Sequence, residues 1–265
     1  MLIQRVITGA IFGIVVIAAV LALPTAGAAA VLALLFIAGA WEWAGLARFD
    51  APARAVYAGA FTGLVITGFW WSHERAIVTT LLVIAMLGWL VALFAVLTYP
   101  RRLPLGAVAV SGFLALLPPW AALAYLHGVG DDGPGLVLTV FAIVWSADSG
   151  AFFTGRALGR HKLAPKVSPG KTWEGVAGGV ALAGIVSGIV GYVLGMPVGV
   201  LVAIGCATAL VSVLGDLTVS VLKRNVGVKD SGRLLPGHGG MLDRIDSLTA
   251  AAPAFLLGLI AARLI

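Results

Sequence analysis

The 265-residue chain is 61% hydrophobic and 11% charged, with a net charge of +6 and a mean hydropathy of +1.08. Soluble domains are about 45–50% apolar, so a water-soluble globular fold is excluded. Cys206 is the single cysteine, which rules out an intramolecular disulfide and a cysteine-based metal cluster.

A helix needs about 20 apolar residues to cross a hydrocarbon core of ~30 Å. Runs of that kind fall near 5–23, 27–47, 55–72, 76–98, 104–126, 135–154, 174–195, 198–222 and 247–264. Backbone groups in lipid must be paired internally, and the alternation of a barrel strand is absent, so the runs are read as helices. The predicted fold is all-α: a polytopic transmembrane helical bundle of about nine spans, forming one integral membrane domain over 1–265. Residues 1–134 hold the N-terminal spans. Residues 135–265 hold the half in which function is expected, with its long loops 155–173 and 223–246. Arg5 before the first run and Ala26-Gly27-Ala28 after it imitate a secretory signal. The run from Val6 to Leu23 is nevertheless longer than a usual ~7–15 residue signal core, and eight spans follow it.

The basic residues orient the bundle. With the N-terminus cytoplasmic, the inner segments hold Arg5; Arg48 and Arg54; Arg101 and Arg102; Arg156, Arg160, Lys162, Lys166 and Lys171; and Lys223, Arg224, Lys229, Arg233 and Arg244. That is 15 of the 17 Lys and Arg, while Asp131 and Asp132 fall in an outer loop, the separation expected of cytoplasmic loops. The positive charge is thus explained by topology and by attraction to anionic membrane lipids, without nucleic acid. Among the 35 glycines, Gly184/Gly188 and Gly191/Gly195 have small-xxx-small spacing, which lets helices approach closely. Packing within one bundle is the expectation, and a homodimer stays open.

A charge near the middle of a span costs at least ~2.5–3.5 kcal/mol on insertion scales, which makes intramembrane acids functional candidates. Glu42, Asp148, Glu174 and Asp216 all lie toward the inner ends of their spans, within about 12 Å of the nearest inner charge at 1.5 Å per residue. Glu42 and Glu174 can equally be snorkelling or Arg-paired structural acids, and Glu174 also suits a helix N-terminus. Small polar neighbours around Asp148 leave room for a ligand. Asp243 and Asp246 share a helix face if the ninth span begins there, although Asp243 can also be a plain cap. Oxygen ligands of this kind suit Mg²⁺, which typically takes one or two carboxylates plus water and phosphate oxygens.

Ser168-Pro169-Gly170-Lys171-Thr172 ends like a phosphate-binding P-loop, but Pro165 stands where the motif needs glycine and no strand is predicted before it. What remains is a basic turn opening a helix whose first amides can bind an anion, with Lys171 its best candidate. Pro236-Gly237-His238-Gly239-Gly240 has little side chain to pack, and its glycines let backbone amides approach a phosphate. His238 is a candidate phosphate or leaving-group contact.

The segment from Ser220 to Asp246 resembles the signature of the phosphatidate cytidylyltransferase family. Ser220, Lys223-Arg224, Lys229-Asp230, Gly232, Pro236, His238-Gly239-Gly240, Asp243-Arg244 and Asp246 match its fixed positions. The likeness extends to Ser146-Ala147-Asp148 and to Ser168–Gly175 and covers about 140–265; the first five spans match in size and hydrophobicity only. The resemblance implies that CTP and phosphatidate react to CDP-diacylglycerol and pyrophosphate with Mg²⁺, and it leaves a second cation such as K⁺ open. It implies Asp216, Asp243 and Asp246 as metal ligands. Lys223, Arg224, Lys229, His238 and Arg244 are the candidate catalytic groups, and Lys171, Arg233, Ser220, Gly239, Gly240 and Asp148 the candidate substrate-binding ones. The attacking phosphate oxygen is already ionised, so no dedicated base is required. The expected place is the cytoplasmic membrane with the site facing the cytoplasm. A related CTP-dependent lipid or polyprenol transferase or kinase is the alternative. A transporter would instead carry its charges near the midplane in broken helices.

Overall fold

The computed structural model describes residues 2–234 and 239–265, with side chains from residue 9 onward. Each predicted run folds as one helix. In chain order they are α1 (Leu2–Ala22), α2 (Thr25–Leu46), α3 (Ala51–Phe69), α4 (Arg75–Leu97), α5 (Leu105–His127), α6 (Gly133–Leu158), α7 (Trp173–Val193), α8 (Val198–Asn225) and α9 (Leu242–Ala261). Among the described residues seven of them, α2 and α4 to α9, are long and apolar enough to cross a membrane. Local chemistry sets several ends. Asp50 accepts from the Ala53 amide at the start of α3, and Thr172 Oγ1 accepts from the Gly175 amide at the start of α7, as N-cap side chains do. Gly195, with φ of 65°, ends α7 in the left-handed conformation glycine tolerates.

Two boundaries differ from expectation. The ninth helix begins at Leu242 rather than near 247, so Asp243, Arg244 and Asp246 stand in its first turns. Hydropathy follows the lipid slab, whereas a helix continues into the headgroup level wherever its amides find partners. The loop between α6 and α7 is not a turn but an antiparallel hairpin, β1 (Lys162–Ala164) and β2 (Ser168–Thr172), pairing Lys162 with Thr172 and Ala164 with Ser168. Its tip is held by packing: Val167 is buried against Leu217 and Val221 of α8, with Val96 and Tyr99 at the end of α4 alongside.

The N-terminal half is pinned by aromatic side chains that donate to helix carbonyls. Trp43 Nε1 reaches Val108 O at 2.7 Å, Tyr57 OH reaches Ala109 O at 2.6 Å, and Trp120 Nε1 reaches Ala29 O at 3.0 Å. Buried in lipid, such donors need partners, and these bind α2 and α3 to α5. The C-terminal half packs through its backbone. A Cβ at Gly150 would crowd Gly178 and Gly179, and side chains at Gly184, Gly188 and Gly191 would run into Cys206, Val202 and Leu201 of α8. The small-residue spacing therefore serves helix packing within the bundle.

Candidate active site

Three elements bring charge to one end of the bundle. The hairpin carries Lys171 on β2, whose Nζ lies 2.7 Å from Asp216 Oδ2 on α8. Ser220 Oγ, one turn on, donates to Asp216 Oδ1 at 3.2 Å. Arg224 Nε donates to Val167 O at 3.4 Å, so this arginine ties α8 to the hairpin tip. The hairpin is closed at its base by the Trp173 amide on His161 O at 2.9 Å and by Glu174, which accepts from the His161 amide and, at 2.6 Å, from His161 Nδ1. Glu174 is thus a hairpin fastener at the start of α7, not an Arg-paired acid.

Asp216 opens on a cavity of about 520 Å³ between α6, β2, α7 and α8. Asp148, Arg156, Ser168 and Lys171 form its polar rim, and Ala147, Val176, Val180, Ala209 and Val213 its apolar floor. Arg156 was not singled out by sequence reasoning. Its position eight residues after Asp148 on α6, just over two turns, is the signal that could have found it. Asp246 of α9 lies within electrostatic reach of both Asp216 and Asp148. The contact is enforced by the backbone: a Cβ at Gly215 would overlap the Asp246 carbonyl oxygen and come within 3.2 Å of Thr249 Oγ1. Acidic side chains from α6, α8 and α9 are thereby gathered at one end of the bundle.

Asp243 makes a second centre beside the first. Its Oδ1 takes Lys223 Nζ at 2.7 Å, and its Oδ2 accepts the amides of Ser231 at 2.9 Å and Gly240 at 3.1 Å. The pair is nearly buried, with side-chain exposures of 12% and 9%. Asp243 does not cap α9 in the ordinary manner; it gathers the loop before it. Gly239, with φ of 84°, makes the bend into that contact. Lys229 and Arg233 are exposed and form no ion pair among the described residues, and Arg244 stands exposed on the first turn of α9. His238, with Pro236 and Gly237, lies outside the described residues.

The arrangement can be tested for a divalent cation. Among the described residues no three His, Cys, Asp or Glu side chains converge as a ready-made metal site, so the expected cage of Asp216, Asp243 and Asp246 is not drawn together as such. Asp243 is turned to Lys223 and two amides instead. The donor set still fits Mg²⁺, which needs only one or two carboxylates and fills its shell with water and phosphate oxygens. Asp148 and Asp216 line the cavity together with Lys171 and Arg156, so positive charge is already part of the set.

Cations and carboxylates above an apolar floor, in a bundle of membrane-length helices, fit an integral membrane protein with a charged site at one end. The family model described as "Cytidylyltransferase family" matches residues 3–261. Relatives named phosphatidate cytidylyltransferase include one from Pseudomonas aeruginosa, 45% identical over 96% of each chain. Another from Haemophilus influenzae is 40% identical over 96% of this chain and 97% of its own. A third from Brucella suis is 38% identical over 82% and 78%. The chain belongs to the cytidylyltransferase family and is a nucleotidyltransferase; the transporter alternative falls away.

Proposed function

We infer that the enzyme transfers the cytidylyl group of CTP to phosphatidate, giving CDP-diacylglycerol and pyrophosphate. The observation that carries this reading is the 520 Å³ cavity, in which a charged rim and an apolar floor meet. A triphosphate and a lipid phosphate are both served by the rim, while an acyl chain is served only by the floor. One phosphate oxygen of phosphatidate attacks the α-phosphorus of CTP, the bond from that phosphorus to the bridging oxygen breaks, and pyrophosphate leaves with the electron pair.

No proton has to be removed from the nucleophile, so the chain's task is positioning and charge neutralisation. Lys171 and Lys223 are held on carboxylates at 2.7 Å; they turn to the phosphate oxygens when the triphosphate enters. Arg156 on the rim holds a second phosphate group. Asp216 and Asp246 are the residues that would hold Mg²⁺, and Asp243 would join them once Lys223 leaves it for phosphate. Mg²⁺ would supply charge stabilisation of the pyrophosphate leaving group. Lys229, Arg233, Arg244 and His238 complete the contacts to the triphosphate from the segment before α9.

The site faces the cytoplasm of the inner membrane, with the N-terminus on the same side. Two observations support this. The end of α4 that precedes Arg101 and Arg102 packs beside the hairpin, so the basic segments 101–102, 160–171 and 223–233 share one end of the bundle. At the other end, His127 bridges Thr25 Oγ1 and Val20 O near the acidic Asp131 and Asp132. Purified protein given labelled CTP should form a chloroform-soluble nucleotide only when phosphatidate and Mg²⁺ are both present. A folded preparation that forms none overturns the reading.

A further inference from the structure

We propose that Glu42 is a positioning residue for the transfer reaction: it fastens both described ends of the loop before α9 and thereby fixes Asp243 and Asp246 against Asp216. Glu42 belongs to α2, in the half of the chain that carries no part of the signature, and is 2% exposed. A buried carboxylate is costly unless its oxygens are well bonded, and among the described residues no Lys, Arg or His pairs with this one. Its partners all come from the site segment. Oε1 accepts the Met241 amide at 3.0 Å; Oε2 accepts the Leu242 amide and Ser231 Oγ, each at 2.8 Å.

Met241 and Leu242 open α9, and the helix has no capping side chain of its own. Glu42 is that cap, supplied from another helix, and its charge faces the positive end of the α9 dipole. The glycines follow from it. A Cβ at Gly232 or Gly240 would overlap the Glu42 carboxylate, so the small residue before the Pro-x-His-Gly-Gly run is set by a side chain from α2. Ser231 and Gly240 also give their amides to Asp243. Two carboxylates therefore grip the same two backbone segments, one joined to Lys223 and the other fixed in the bundle. Glu42 does not line the 520 Å³ cavity and acts on substrate only through what it holds.

The test uses the full-length protein in detergent or nanodiscs, and its kinetic arm rests on the transfer reaction inferred above. Both Glu42 oxygens take an amide, so Glu42→Gln must turn its NH₂ against Met241 or Leu242. Hydrogen exchange at amides 241 and 242 should quicken about tenfold, the equivalent of one lost bond. The kcat should fall by about ten- to a hundredfold, and the Mg²⁺ concentration for half-maximal activity should rise, with KM for phosphatidate unchanged. Ser231→Ala, which removes one donor and keeps the backbone contact to Asp243, should move the same quantities less and keeps the test open if Glu42→Gln fails to fold. Wild-type exchange at both amides in these variants overturns the tie. Faster exchange with wild-type kcat per folded enzyme and unchanged Mg²⁺ dependence reduces Glu42 to a stability role and overturns the positioning claim. A wild type that forms no CDP-lipid refutes the transfer reaction, and the exchange arm then decides the Glu42 tie by itself.

Discussion

Removing Lys223 while Asp243 remains leaves a carboxylate that water scarcely reaches. The two side chains are 12% and 9% exposed and meet at 2.7 Å. Taking one member from a buried pair costs about 3–5 kcal/mol, because the survivor keeps its charge without a counter-ion. The Ser231 and Gly240 amides still compensate Asp243, so Lys223→Met belongs at the lower end, about 3 kcal/mol. Asp243→Asn keeps an acceptor for those amides but strands the ammonium, again about 3 kcal/mol. With both replaced no charge is stranded, and the double variant should cost about 3 kcal/mol instead of twice that, a coupling of about 3 kcal/mol. Equilibrium unfolding in mixed detergent micelles, followed by circular dichroism, measures the four proteins. Costs that add within about 0.5 kcal/mol would show two independent groups and refute the pair. Turnover supplies the second half of the experiment. The double variant should be no less stable than either single one, yet activity does not return, since the triphosphate has lost a cation and the metal a carboxylate. Restored turnover would sink the catalytic assignment of both residues while leaving their packing role intact.

Asp216→Ala should abolish CDP-lipid formation with normal membrane insertion, because Asp216 is the one acid that touches the cavity, Lys171 and Ser220 together; near-normal turnover would refute its role. In a Cys206→Ser background, Arg101→Cys should react with an impermeant maleimide only from the cytoplasmic side and Asp131→Cys only from the outside. The opposite labelling would invert the bundle and remove the cytosolic route for CTP.

The helices were legible because hydropathy and helix length are tied by the thickness of the bilayer. What was hidden lies where tertiary contacts override local pattern. The hairpin has strands of three and five residues rich in Lys, Pro, Gly and Ser; nothing in them alternates, and they hold because Val167 finds Leu217 and Val221. The early start of α9 depends on Glu42, whose partners are about 200 residues away in sequence. No local signal carries such a pairing; an acid alone in an apolar span says only that it must have a partner. Asp148, Lys171 and Asp216 were legible as a group, because polar residues at the inner ends of spans had to share one depth. Arg224 was not legible as a hairpin tether, since one basic residue in a signature looks like another until its carbonyl partner is seen.

The chemistry-bearing acids sit beside the glycines that bring the helices together. Asp148 is two residues from Gly150, which packs on the α7 backbone, and Asp216 follows Gly215, which packs on the Asp246 carbonyl. Backbone contact of this kind sets the approach of the helices that carry these acids more rigidly than side-chain packing does, because no rotamer can open it. In the unliganded enzyme Lys171 is held by Asp216 and Lys223 by Asp243. A triphosphate that draws those lysines away exposes the uncompensated acids to an accompanying cation. Nucleotide and metal are therefore expected to bind with positive coupling, each raising the other's affinity by the same factor, and the source of that coupling is the release of Asp216 from Lys171 and of Asp243 from Lys223.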